Sequence, residues 1–267
     1  MAVRSAIINV MTRAADKAAR RLKRDFGEVE NLQVSRKGPA DFVSSADLRA
    51  EQTLKEELGR ARPDYAFLME ESGHTAAADP GAGSQRRWIV DPLDGTTNFL
   101  HGLPHFAISI ALEERGDIIA GVIYDPVKEE MFWAEKGAGA YLNDRRIRVS
   151  GRSTLESALV AVGSPFKGHG EAPQFLAELN AIIGATAGMR RWGAASLDLA
   201  YVAAGRYDAF CERDLSTWDT AAGIALVREA GGYISEMDGK SIRLDSPSIL
   251  AANDRLHAAM VDLLRVV

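Results

Sequence analysis

Between Phe106 and Val149 short apolar runs alternate with short charged breaks. Phe106–Leu112, Ile118–Tyr124 and Met131–Ala134 have strand length, and breaks this short predict an antiparallel meander. Tyr141–Val149 reads as a hairpin turning at Asn143-Asp144. Helices precede it. Ile7, Met11, Ala14, Ala18 and Leu22 recur at helical steps from Ser5 to Phe26, and Gly27 ends the run. A second helix is expected over Ala46–Arg60, with Leu48, Leu54 and Leu58 inward. Ser44 and Asp47 have capping-box spacing at its start, and Pro63 lies just past its end. Tyr65–Met69 and Arg87–Val90 read as strands, with an Ala-, Gly- and Pro-rich surface loop, His74–Gln85, between them.

The second half alternates. Strands are expected at Leu159–Val162, Tyr207–Cys211 and Ser248–Ala251, with a short extended piece at Met189–Trp192. Helices are expected at Pro173–Ile183, Leu197–Ala204 and Asp254–Leu264. Thr217–Ala230 reads as an amphipathic helix ended by Gly231-Gly232. Helices mixed with a mainly antiparallel sheet mean a layered α+β fold and not a doubly wound one. With no repeat and no low-complexity linker, residues 1–267 read as a single compact unit. A soft seam near Ser150–Ser153 divides 1–150 from 151–267.

Composition narrows the class. A chain of 267 residues hides roughly 70–75% of its unfolded surface. Hydrophobic residues at 46% and charged residues at 26% exclude disordered, collagen-like and coiled-coil chains. No apolar run reaches the ~18–20 residues of a membrane span, so no membrane role is expected. The charged N-terminus does not resemble a signal peptide. The one cysteine, Cys211, excludes an internal disulfide framework and points to a reducing cytoplasm. A formal charge of −5 leaves no overall electrostatic footprint for nucleic acid.

The chemistry concentrates in Trp88-Ile-Val-Asp91-Pro-Leu-Asp94-Gly95-Thr96-Thr97-Asn98-Phe99. A buried-looking strand runs into two carboxylates three residues apart. Pro92 is expected to stop it there, so that Asp91 and Asp94 face one point. Gly95 allows close backbone approach, and Thr96-Thr97 can open a helix whose free N–H groups suit an anion. Two hard-cation ligands beside an anion cradle are the parts of metal-assisted phosphate chemistry. Each acid alone also has a plain structural reading. Asp94 can cap a helix, and Asp47 and Asp219 each sit three residues after a serine at capping-box spacing. Glu70-Glu71 at a strand end can simply be solvated.

Taken together, these segments resemble the inositol monophosphatase family, within the lithium-sensitive, magnesium-dependent phosphatases that also include fructose-1,6-bisphosphatases. Four stretches in order carry the resemblance: Pro39-Ala-Asp41-Phe-Val-Ser-Ser-Ala-Asp47, Glu70-Glu-Ser72, Asp91 to Phe99, and Trp218-Asp219 through Gly232. It implies a layered αβαβα sandwich, a homodimer and two to three Mg²⁺ ions. Glu70, Asp91 and the Leu93 carbonyl match the ligands of the first ion; Asp91, Asp94 and Asp219 match those of the second; a third would share Glu70 with waters. Glu70 and Thr96 would orient the attacking water, with Asp47 bonded to the Thr96 hydroxyl. Asp94, Gly95, Thr96, Gly193, Ala195, Glu212 and Asp219 would contact substrate, and Trp218 would pack beside it.

The implied activity is hydrolysis of inositol monophosphate and related polyol phosphates. The alternatives are the same chemistry on histidinol phosphate, a 3′-phosphonucleotide or fructose 1,6-bisphosphate, or a non-catalytic role in a bacterial rRNA transcription complex. Met69 and Ala194 depart from the family's usual Gly and Thr. Four carboxylates converging at about 4 Å would repel by roughly 4 kcal/mol per pair at an effective dielectric near 20, so such a cluster must take up protons or cations. His101 and His105 are expected to be solvated loop histidines, Cys211 to lie in the core, and Arg20–Arg24 to be a solvated helix face.

Overall fold

In the computed structural model, residues 3–28, 34–38, 41–79, 85–166 and 168–265 are described, with backbone alone for 34–38 and 41–43. In chain order the first part holds α1 (Ala6–Phe26), β1 (Val34–Gly38), β2 (Asp41–Ser44), α2 (Ser45–Ala61), β3 (Ala66–Met69), β4 (Gly73–Thr75), β5 (Arg86–Asp94), α3 (Thr96–Leu100), β6 (Ala107–Glu114), β7 (Asp117–Asp125), β8 (Glu130–Glu135), β9 (Gly139–Leu142) and β10 (Arg145–Ile147). The second part holds β11 (Leu159–Val162), α4 (Ala172–Ala185), β12 (Gly188–Arg190), α5 (Ala195–Ala203), β13 (Ala209–Arg213), α6 (Thr217–Glu229), β14 (Tyr233–Ser235), β15 (Ser248–Ala252) and α7 (Asp254–Arg265).

The meander is the body of an eight-stranded sheet, ordered β10-β9-β8-β7-β6-β5-β3-β4. All its pairs are antiparallel except β3 with β5. A second sheet of five strands runs β12-β11-β13-β15-β14, with β11 parallel to both its neighbours. Strand alternation sends side chains to both faces, and both faces of both sheets are covered. Trp88, Val90, Ile108 and Val122 bury themselves under α1 and α2. Ile89, Ala107, Ala111 and Phe132 face the other way, onto α5 and α6, which in turn lie under Ala161, Phe210 and Ala251 of the second sheet. The far side of that sheet, with Val160, Ala209, Cys211 and Leu250, packs on α4 and α7. The layers are therefore α1/α2, sheet, α5/α6, sheet, α4/α7: an αβαβα sandwich.

Local chemistry sets the turns. Asn143 and Asp144 both take positive φ (45° and 64°), the conformation a two-residue hairpin turn demands. Four expectations need correction. Leu48 is 53% exposed, because the inward stripe of α2 steps in fours through Ala46, Ala50, Leu54 and Leu58. The helix α6 is not amphipathic: Thr220 through Val227 are all buried, since it lies between two sheets. Pro92 does not end β5. The strand carries it through a bulge, pairing Asp91 with Ser109 and then Asp94 with Ala107, and by then β3 has finished its pairing at Val90. The expected loop over His74–Gln85 overlaps β4 at its start, and residues 80–84 lie outside the described residues. The β1–β2 pair and β14 were not foreseen.

Candidate active site

The bulge in β5 aims the acids. Past Val90 the strand is free of β3, and the Asp91 side chain folds back so that its Oδ1 accepts from the Leu93 N–H at 2.9 Å. Both carboxylates are buried, Asp91 2% and Asp94 8% exposed. Gly95 then takes φ 92°, and a Cβ there would meet the His105 carbonyl oxygen at 3.1 Å, so glycine is required on both counts. Thr96 opens α3, with its Oγ1 3.0 Å from Asp47 Oδ1 and 3.0 Å from the Leu93 carbonyl oxygen.

Asp47 and Asp219 reach the site by capping helices, so the two readings of each residue hold together. The Ser44 N–H donates to Asp47 Oδ2 at 2.9 Å, closing the start of α2. The Ser216 N–H donates to Asp219 Oδ2 at 2.7 Å, closing the start of α6. In each case the carboxylate satisfies a helix-start donor and faces the end of β5.

Asp94 is tied to a third helix. Its Oδ2 accepts from the N–H and the hydroxyl of Ser196, and the Ala195 N–H adds a further bond. These donors are the first turn of α5, so Asp94 sits at the positive end of that helix. The loop before α5 is tied down as well: Asn98 Nδ2 donates to the Trp192 and His105 carbonyls, each at 2.8 Å. Glu212, on β13, has room only because residue 163 is glycine; a Cβ there would lie 1.6 Å from its carboxyl carbon.

A cavity of about 320 Å³ opens beside the end of β13 and the start of α6, with Glu70, Gly163, Glu212, Ser216, Trp218 and Asp219 on its walls. The acids perturb one another. Burial first, then the charges of Glu70, Asp94 and Asp219, push Asp91 well above the usual carboxylate range, and Asp91 shares a hydrogen bond with Glu70. Burial lifts Asp94 to about 6 against the opposing Ser196 bonds. Burial and then Asp94 raise Asp219 well above its ordinary value. Burial lifts Glu212 to about 8, with Asp94 adding and Arg191 opposing. Burial raises Asp47, against the bonds from Ser44. Acids that resist ionising together are acids that a cation would relieve. Among the described residues no three His, Cys, Asp or Glu side chains already form a closed set of metal ligands. Their oxygens are turned instead to local donors: Asp91 to Leu93, Asp94 to α5, and Asp219 to Ser216.

A family model described as "Inositol monophosphatase family" matches residues 4–266. The chain belongs to the inositol monophosphatase family. An inositol-1-monophosphatase of Mesorhizobium japonicum is 56% identical over 97% of this chain and 96% of its own. A Nus factor SuhB of Pseudomonas aeruginosa is 45% identical over 96% of this chain and 94% of its own. Among solved structures, the extragenic suppressor protein suhB of Bartonella henselae superposes with a TM-score of 0.92 at 52% identity, covering 98% of this chain and 99% of that one.

Within this family member several sequence expectations gain a location. Asp91 lies within charge–charge reach of Glu70, Asp94 and Asp219, and Leu93 and Thr96 lie at the same turn. Ala194 and Ala195 are buried under the N-terminus of α5. Met69 is fully buried in the cluster beneath α1 and α2, so it fills the core. Cys211 is core as expected, its thiol pushed up to about 12 by burial. His105 corrects its expectation. It is 3% exposed and its ring lies tilted against Trp192 (ring centroids 5.0 Å), with its carbonyl held by Asn98. Sequence reasoning missed Ser196 and Asp198. Both are buried on α5, and Asp198 Oδ1 has no hydrogen-bond partner among the described residues. Neither has a signal in the sequence: the expected helix begins only at Leu197, and the Asp94 partner of Ser196 lies 102 residues away.

Proposed function

We propose that this chain hydrolyses inositol monophosphate and related polyol phosphates by direct in-line attack of water on phosphorus, with Mg²⁺ as its metal. The mutual charge coupling of Glu70, Asp91, Asp94 and Asp219 next to the Gly95-Thr96 turn, with Glu70 and Asp219 on the cavity wall, carries the reading. Glu70, Asp91 and the Leu93 carbonyl would hold one ion, and Asp91, Asp94 and Asp219 a second, with a third sharing Glu70. An all-oxygen set with few carboxylates per ion suits Mg²⁺. When bound, the ions supply positive charge that eases deprotonation of the attacking water and stabilises the leaving oxygen.

The chain's own residues do the rest. Thr96 Oγ1, held by buried Asp47, has one fixed orientation toward the attacking water, which Glu70 shares. The backbone at Gly95 and Thr96 takes phosphate oxygens. Asp94, anchored by Ser196, holds its place without side-chain rearrangement, which is the preorganisation that catalysis needs. Glu212, Gly193 and Ala195 receive the polyol hydroxyls, where Glu212 has an acceptor oxygen walled by protein. Direct attack by water leaves no phosphoenzyme.

The test is phosphate release from inositol 1-phosphate with and without Mg²⁺. A metal-replete preparation inactive on every phosphomonoester would end the reading. The SuhB relative at 45% identity motivates a second one, a binding role in a transcription complex. It predicts that Asp94→Asn, inactive as a phosphatase, leaves a growth or transcription phenotype unchanged. A cytoplasmic homodimer, lithium sensitivity and a seam near residue 150 complete the proposal.

A further inference from the structure

The cavity does not end at the acids. Residues alternate along β13, so Glu212 points toward the acid cluster while Cys211 and Arg213 point toward α4, yet all three line the same space. The cavity therefore wraps around the end of the five-stranded sheet. Its second arm is walled by Val162, Phe175, Leu179, Ile182, Cys211 and Met237. Two of the charged groups beside it are bonded to each other: Arg213 Nη2 and Nε lie 2.6 and 2.9 Å from Glu178 Oε1. A polyol ring entering this arm would leave the hydroxyls that face its apolar wall without partners, a costly exchange. An alkyl or aryl body would lose nothing.

We propose that this arm is a leaving-group subsite for phosphate monoesters whose alcohol carries an apolar body of about four to eight carbons. The inference rests on the phosphatase reading and deepens it. The phosphate sits among Glu70, Asp94 and Asp219, the alcohol oxygen passes Glu212, and the apolar body turns past Gly163 into the arm. Hydrolysis forms a bond from water oxygen to phosphorus, breaks the bond from phosphorus to the alkyl oxygen, and releases the alcohol with a proton from water. Inorganic phosphate is the other product.

The experiment measures kcat/KM with Mg²⁺ for inositol 1-phosphate and for methyl, butyl, hexyl and phenyl phosphate. Each methylene that enters the arm is expected to lower KM by roughly threefold to fourfold, so hexyl phosphate gains strongly over methyl phosphate. Leu179→Trp, which narrows the arm, is expected to cut kcat/KM for hexyl phosphate at least tenfold and leave inositol 1-phosphate within about twofold. Leu179→Ala, the second variant should the first not fold, is expected to raise KM for hexyl phosphate alone. A wild-type enzyme that turns over inositol 1-phosphate with no chain-length dependence overturns the subsite and leaves the phosphatase reading standing. Equal losses on both substrates in the Leu179 variants overturn it too. No turnover of any ester removes the phosphatase reading, and this inference falls with it.

Discussion

At the scale of single residues, stability and chemistry are in conflict within the acid cluster. Burial and mutual charge push Asp91, Asp94 and Asp219 upward together. Asp219→Asn keeps an oxygen for the Ser216 N–H and removes one charge. It is expected to cut kcat by about a thousandfold while raising Tm in chelator, by roughly 2–4 °C for each kcal/mol of repulsion removed. A variant with unchanged or lowered Tm would contradict the picture of crowded charge. His105 supplies a pH signature. Burial, with the Lys128 charge second, holds its imidazole at about 4, below its ordinary value of 6.5. Between those values the unfolded chain binds the extra proton, so stability falls as pH drops from about 6.5 to 4, by up to ~3 kcal/mol. In an NMR titration the His105 ring resonances should stay flat down to about pH 5; an inflection near 6.5 would refute this. The acids themselves were legible in the sequence because motif order placed them. Ser196 was not, because its partner Asp94 lies 102 residues away and no local pattern announces that bond.

At the scale of elements, the site depends on the spacing of helices. A Cβ on Gly223 of α6 would lie 2.3 Å from Leu199 Cδ1 and 2.5 Å from Leu199 Cβ, so the Leu199 side chain of α5 seats directly against α6 where residue 223 has no side chain. The helix α5 presents Ser196 to Asp94 and α6 presents Asp219. Gly223→Ala is expected to cost about 1–3 kcal/mol by overpacking and to lower kcat/KM by at least tenfold, measured by urea unfolding beside phosphate release. A variant with wild-type activity would show that the helix pair does not set the site. Most elements were readable from periodicity, since α1 and the meander carry strong patterns. The errors have separate causes. Periodicity reports a single buried face, and α6 has none to report, being enclosed all round. Leu48 misled for the complementary reason: one apolar residue on an exposed face looks like part of the stripe. Pro92 obeyed its backbone rule, yet with β3 already ended on that side its missing N–H cost no ladder bond.

At the scale of the molecule, the acids come from three segments of the chain, at Glu70, Asp91–Asp94 and Asp219, and meet only in the finished fold. A divalent ion gripped by them therefore binds the folded state alone. Adding Mg²⁺ at a hundred times its Kd is expected to stabilise the chain by about 2.7 kcal/mol, and EDTA to reverse the gain, read as a Tm shift in calorimetry. A Tm indifferent to both would count against a cation at this site. The filling of the sandwich has a consequence for biosynthesis. The strands of the first sheet are complete at Ile147, but α6, which roofs the inner face, ends at Glu229. A ribosome adding 5–20 residues per second needs roughly 4–16 s to cover that interval. During that wait Ile89, Ala111 and Phe132 stand bare to water on a sticky plane. Stalled nascent chains ending near residue 150 should thus bind a hydrophobic dye or a holdase chaperone, and chains that have cleared α6 should shed it.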